Sequence, residues 1–225
     1  MTRETLDNKI QELLNNVLTL GNVVKQAILD SVDALKKGDI QKAQAIYDND
    51  ENINKKRFEI ENNAITTIAT QQPMARDLRI LASILDIAGE LERMGDYAKG
   101  IALITIRMGD ESPIKPLIDI PKMAALTADM LQRALEAFVK ADSDAALSIP
   151  KEDDQVDNLY NQVYRELLTY MISDPSTIDR ATYLLWVSHN LERTADRVTN
   201  ICERTVYIAT GELDEIDNSD DEAQK

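Results

Sequence analysis

The sequence predicts an all-α protein of two tandem antiparallel three-helix bundles, six long helices related by a pseudo-two-fold repeat. Three observations carry that prediction. The motif Glu92-Arg93-Met94-Gly95-Asp96 returns one hundred positions later as Glu192-Arg193-Thr194-Ala195-Asp196, and Leu85, Leu91 and Ile101 return as Leu185, Leu191 and Ile201. Equal spacing of all these elements marks a tandem duplication. The chain has only 7 Gly and 6 Pro and is 4% aromatic, while Ala, Leu, Ile, Glu, Asp and Lys dominate, a composition that favours helix over strand. Its apolar residues also recur at steps of three and four.

The first helix shows this pattern in Leu6, Ile10, Leu13, Val17, Leu20, Val24, Ala27 and Ser31, the seam of a long bundle helix. Lys37-Gly38 ends it, and Asp39 suits the N-cap of the second. The second helix passes through Ala43, Ile46, Ile53, Ile60 and Ala64 to about Thr70, and Gln72-Pro73 breaks it, with Pro73 expected to start the third. The third runs past Ile80, Ile84, Ile87, Leu91, Ala98 and Ala102 to Gly109. Each spans about 50 Å. Pro113, Pro116 and Pro121 mark a linker. In the second copy, helix four covers roughly Ile120 to Lys140. Ala141-Asp142 matches Gly38-Asp39, and helix five runs to about Ile172 with a kink or break at Pro150. Asp174-Pro175-Ser176 opens helix six, which ends at Gly211. The expected domains are therefore 1–109, a linker at 110–121, 122–211, and an acidic disordered tail at 212–225.

The net charge is −15. The tail from Glu212 holds seven acids against one Lys, so it carries −6 and the rest of the chain −9. Such a surface repels nucleic acid and suits cations or basic protein partners. Cys202 is the one cysteine, which excludes an intrachain disulfide and a Cys-based zinc site. The start, Met1-Thr2-Arg3-Glu4, is polar at once, so no signal peptide is expected. Apolar runs such as Ile101 to Ile106 are far shorter than the roughly 20 residues needed to cross a bilayer. A cytoplasmic protein is expected, with membrane association only through partners.

Candidate chemistry lies on helix six. Glu192, Asp196, Asn200 and Glu203 fall within roughly 80° on a helical wheel, and His189 lies in the same arc. Stacked acids repel, and an oxygen-rich set suits Fe, Mn or Mg, with Zn also allowed. Helix three keeps Glu92 and Asp96, but Gly100, Leu103 and Gly89 stand where Asn200, Glu203 and His189 do, and Lys99 lies near the Glu92 direction. The competing reading is a solvated acidic face with Arg93 and Arg193 as counter-charges; spacing alone does not choose. For His189 an ordinary polar contact, and for Cys202 simple packing, compete with any functional role. Asp50 and Asp153 match across the copies at seam positions, where a carboxylate is costly unless paired. They belong either to the metal site or register, or to ion pairs with a neighbouring helix.

The run Gln71-Gln72-Pro73-Met74-Ala75-Arg76-Asp77-Leu78-Arg79, with Leu91 to Ala98 after it, resembles the first repeat of the PhoU family. Leu191 to Glu203 resembles the second, and the likeness covers nearly the whole chain. It implies a non-enzymatic cytoplasmic regulator that dampens phosphate uptake and signalling, with the phosphate ABC transporter ATPase and the phosphate-responsive sensor kinase as partners. It also implies metal ligands at Glu92, Asp96, Glu192 and Asp196, with Asn200 and Glu203 completing the second motif. In the first motif the family often has Asn and an acid where Gly100 and Leu103 stand. Long helices with apolar flanks often pair, so a homodimer is a further expectation, although sequence sets no oligomeric state. Two alternatives remain. A carboxylate-bridged di-iron enzyme normally uses two Glu-x-x-His motifs, whereas this chain has one His, in the order His189-x-x-Glu192. A metal-free helical scaffold is the other.

Overall fold

The computed structural model describes residues 3–216, and within them every regular element is helical. α1 (Arg3–Lys37), α2 (Ile40–Gln71) and α3 (Arg76–Met108) form the first repeat. α4 (Asp119–Lys140), α5 (Ser143–Ser148), α6 (Asp153–Ser173) and α7 (Ile178–Thr210) form the second. The predicted break at Pro150 is a 3-10 turn, Ile149–Glu152, that separates α5 from α6. The third helix starts later than expected: Gln72 and Ala75 both take positive φ, which leaves Pro73 in the connection. Residues 217–225 of the acidic tail lie outside the described residues. The tail's beginning is held, because the Ile216 amide donates to Glu203 Oε1 at 3.0 Å.

The helix ends follow local chemistry. Asp39 Oδ1 accepts from the Lys42 amide at 2.9 Å, and Asp142 Oδ1 repeats the cap on the Ala145 amide at 3.0 Å. The residue before each cap is left-handed: Gly38 at φ 66° and Ala141 at φ 51°. Only the first of these is a glycine, the residue that adopts such a φ without strain.

The two repeats share one core. Leu20, Val24, Ile84 and Leu91 of the first belong to the same buried cluster as Met130, Leu131, Leu184 and Leu191 of the second. α1 packs on α4 and α3 on α7. Gly21 makes the first of these contacts close, since a Cβ there would lie 2.1 Å from Leu135 Cδ1. Along the α3–α7 seam, Asn200 Nδ2 donates to Glu90 Oε2 at 3.1 Å. The symmetry-related pair is Gly100 and Asn190, where a Cβ on Gly100 would lie 3.0 Å from Asn190 Nδ2. The same contact made twice, from opposite ends, is the pseudo-two-fold expected from the duplication. No helix among the described residues is long and apolar enough to cross a membrane.

Candidate functional site

Each repeat builds one carboxylate cluster where its middle helix meets its last. In the first repeat the members are Asp50 on α2 with Glu92 and Asp96 on α3. Asp50 is buried, at 4% exposure, and is paired: Lys99 Nζ donates to its Oδ2 at 2.7 Å, and Asn54 Nδ2 donates to the same oxygen at 3.2 Å. The Lys99 ammonium also lies 5.1 Å from the centre of the Tyr47 ring. Arg57 Nη1 stands 3.8 Å from Glu92 Oε1. Burial, then the neighbouring Asp96, raises the Glu92 carboxyl, and Arg57 opposes the rise. Burial and Asp50 raise Asp96, against Lys99. Two built-in cations thus offset much of the clustered charge.

The second repeat has the same three acids, Asp153 on α6 with Glu192 and Asp196 on α7, but among the described residues no cation on the α6 acid; its counter-charge, Arg193, lies on Asp196 instead. The position equivalent to Lys99 is Thr199, and that equivalent to Arg57 is Tyr160. Asp153 is only 4% exposed, and its Oδ1, like that of Asp50, has no hydrogen-bond partner, but no cation bonds its other oxygen as Lys99 does on Asp50. Burial, reinforced by Asp157, Asp196 and Glu192, pushes its carboxyl up to about 7. Burial and Asp196 likewise push Glu192 up to about 7. His189 Nδ1 is 3.2 Å from Glu192 Oε2, but the approach does not make a hydrogen bond, and that buried oxygen has no partner. Arg193 Nη1 reaches Asp196 Oδ2 at 3.4 Å. Burial raises Asp196 too, with Arg193 the largest opposing charge.

Asn200 and Glu203 take other partners. Asn200 is on the α3 seam with Glu90, and Glu203 accepts the Ile216 amide. Both line a cleft of about 380 Å³ among α2, α3 and α7, with Arg57, Asp86, Glu90, Arg93 and Arg204 around it. At Gly100, the position equivalent to Asn200, the tip of Asn190 from the opposite helix lies 3.0 Å from where a Cβ would stand. Cys202 is buried, and its thiol is pushed up to about 12 by burial, which keeps it protonated at neutral pH.

A cation meets suitable chemistry at the second cluster, where hard oxygens gather with no cation on Asp153 and where Asp153 Oδ1 and Glu192 Oε2 are buried without partners. Among the described residues no three His, Cys, Asp or Glu side chains converge closely enough to hold a metal ion as they stand. An ion held there requires the carboxylates to turn toward one another.

The PhoU domain family matches residues 17–105 and 120–205, one match on each repeat. This chain belongs to the PhoU family. It is 37% identical over 212 residues to the phosphate-specific transport system accessory protein PhoU homolog of Clostridium acetobutylicum, covering 94% of this chain and 97% of that protein. The corresponding Pseudomonas aeruginosa homolog is 34% identical over 205 residues, covering 90% and 84%. Among solved structures, the phosphate transport system regulatory protein PhoU from Streptococcus pneumoniae superposes with a TM-score of 0.86 at 32% identity, over 93% of this chain and 99% of that one. PhoU from Pseudomonas aeruginosa gives the same TM-score, 0.86, over 92% and 99%. The PhoU fold thus extends over nearly all of this chain.

Asp50 and Asp153 were legible as matched seam acids, yet their fates differ. The sign of that difference lies in the sequence as Lys99 opposite Thr199, a pair that only the α2–α3 and α6–α7 contacts make meaningful.

Proposed function

We propose that this protein is a negative regulator of phosphate uptake and of phosphate-starvation signalling. It acts in the cytoplasm, without catalysis, on the ATPase of the phosphate ABC transporter and on the phosphate-responsive sensor kinase. The observation that carries this reading is end-to-end similarity to proteins named as accessory to the phosphate-specific transport system. The buried and protonated Cys202, and a single imidazole already placed against Glu192, supply no nucleophile and base that would favour an enzyme instead. In the isolated chain the second cluster, with Glu192 and Asp196 as ligands and Asp153 beside them, takes a metal ion such as Fe, Zn, Mn or Mg. Its two unpartnered oxygens support that assignment. The metal-free alternative is favoured in the first repeat, where Lys99 already sits on Asp50.

Co-purification with the ATPase and with the sensor kinase, in high and low phosphate, tests the regulatory reading. Binding to at least one of them is expected, and cells lacking the protein should express the phosphate-starvation response in rich phosphate. Failure to bind either, with normal repression in the deletion strain, would sink it. Elemental analysis of protein purified without chelator tests the metal. Glu192→Ala with Asp196→Ala should empty the site, and unchanged metal content would count against this assignment.

A further inference from the structure

The two clusters are the same device built with and without its cation. In the first repeat the occupant is visible. It is the ammonium of Lys99, bonded to one oxygen of Asp50 at 2.7 Å, with Asp96 close by and the Tyr47 ring at 5.1 Å. In the second repeat Asp153, Glu192 and Asp196 occupy the equivalent places, and the chain supplies Thr199 instead of a lysine. Asp153 is only 4% exposed, as Asp50 is, and each has an unpartnered Oδ1; what the second repeat lacks is the ammonium that Asp50 has on its Oδ2, and the Thr199 Oγ1 in the place of that lysine is buried and unpartnered. A buried carboxylate without a counter-charge costs several kcal/mol in general, and Asp153 lacks the cation that Asp50 has.

What surrounds the second cluster also differs. Tyr160, in the place of Arg57, has its ring 6.3 Å from that of His189 and 6.4 Å from that of Tyr164. Tyr164 is 42% exposed, and Tyr160, its hydroxyl raised by burial, is close enough to Glu192 for that carboxylate to raise it further. Aromatic faces beside carboxylates favour a cation carried on an apolar stem, because the rings cover the methylenes and attract the charge. A metal ion needs several oxygens to converge, and as they stand no three do. An ammonium needs only what Lys99 has, one close carboxylate oxygen with a second carboxylate nearby.

We propose that the second-repeat cluster receives the side chain of a lysine or arginine borne by a partner protein, in the place that Lys99 fills in the first repeat. This rests on the reading of the protein as one that docks on the phosphate transporter ATPase or sensor kinase. In the docked complex the partner's cation takes the seat of the metal. The chain's −15 charge suits a basic docking element.

Thr199→Lys supplies the missing cation from within, and calorimetric titration of the full-length variant with the ATPase and with the kinase, in chelated buffer, reads the result. Wild type is expected to bind. Thr199→Lys, and separately Asp153→Asn with Glu192→Gln, should weaken binding by about thirtyfold or more, while Glu51→Gln, an exposed acid of the first repeat, leaves it unchanged. Circular dichroism checks that each variant keeps its helix content. Equal affinity for wild type and Thr199→Lys would overturn the proposal, as would metal retained at the cluster after the partner binds. If neither partner binds wild type, the regulatory reading fails, and the seat is then decided alone by carboxyl NMR with n-butylammonium chloride as the probe and n-butanol as the uncharged control. The Asp153 carboxyl signal should move with the ammonium in wild type and not in Thr199→Lys; a signal that stays still in wild type overturns the seat.

Discussion

A buried carboxylate can add to or subtract from stability depending on one neighbour, and this chain holds both cases at matched positions. Asp50 has Lys99 and Asn54 on its Oδ2, so Asp50→Asn breaks a partly buried ion pair and should cost about 2–3 kcal/mol in urea unfolding. Asp153 has no such partner, and Asp153→Asn removes a strained charge. That substitution should stabilise the chelated protein by about 1–2 kcal/mol at pH 8. Equal signs for the two variants would contradict the contrast. The pH dependence follows from the same groups. Asp153 and Glu192 titrate near 7 in the fold, against ordinary values of 3.8 and 4.5. A raised folded pKa means stability that is intact at pH below the unfolded values and lost as pH rises through the folded one. The urea midpoint of chelated protein should therefore fall between about pH 4 and pH 7, and Asp153→Asn with Glu192→Gln should flatten that fall. Asp33 acts in the opposite sense. Lys42 and Lys37 hold it down at about 2, so its contribution is lost on acidification below about pH 4.

At the scale of the helix, most boundaries could be read from sequence because caps and breakers act locally. Asp39 and Asp142 cap where their types predict, Pro150 breaks the fifth helix, and Gly211 closes α7 at φ 84°. Pro73 was misplaced because the left-handed Gln72 and Ala75 extend the connection, a feature that neither residue type signals. The site was legible only in part. Wheel geometry put Glu192, Asp196, Asn200 and Glu203 on one stripe, but a stripe three turns long meets different helices along its length. Its first half faces Asp153, and its second half faces Glu90 and the Ile216 amide. Which acid has a counter-charge depends on contacts between helices, and periodicity within one helix does not contain them. One flaw is open to repair. Ala141 holds a left-handed conformation in the position where the first repeat has Gly38. Ala141→Gly should stabilise the protein by about 1 kcal/mol, seen as a higher urea midpoint with unchanged slope. No gain would show that the Cβ strain is relieved by other contacts.

For the molecule as a whole, the duplication raises the question of whether the two repeats are separate folding units. The packing says they are not. α1 lies on α4, where Lys25 Nζ donates to Gln132 Oε1 at 2.8 Å and Gly21 admits Leu135. α3 lies on α7 along a seam with polar contacts at Glu90–Asn200 and, through the pseudo-two-fold, close approach at Gly100–Asn190. Side chains of both repeats enter one buried cluster. Each three-helix unit alone would expose the face it now buries against its twin, so its local stability depends on the other. Unfolding should then be a single transition, with calorimetric and van't Hoff enthalpies equal and with fluorescence of Trp186, in the second repeat, coincident with helix loss over the whole chain. Two resolved transitions, or a residue 1–109 fragment that folds as a stable monomer, would show instead that the seam is a docking contact between independent domains. Coincidence would mean that a cation seated in the second repeat stabilises the first through the shared core.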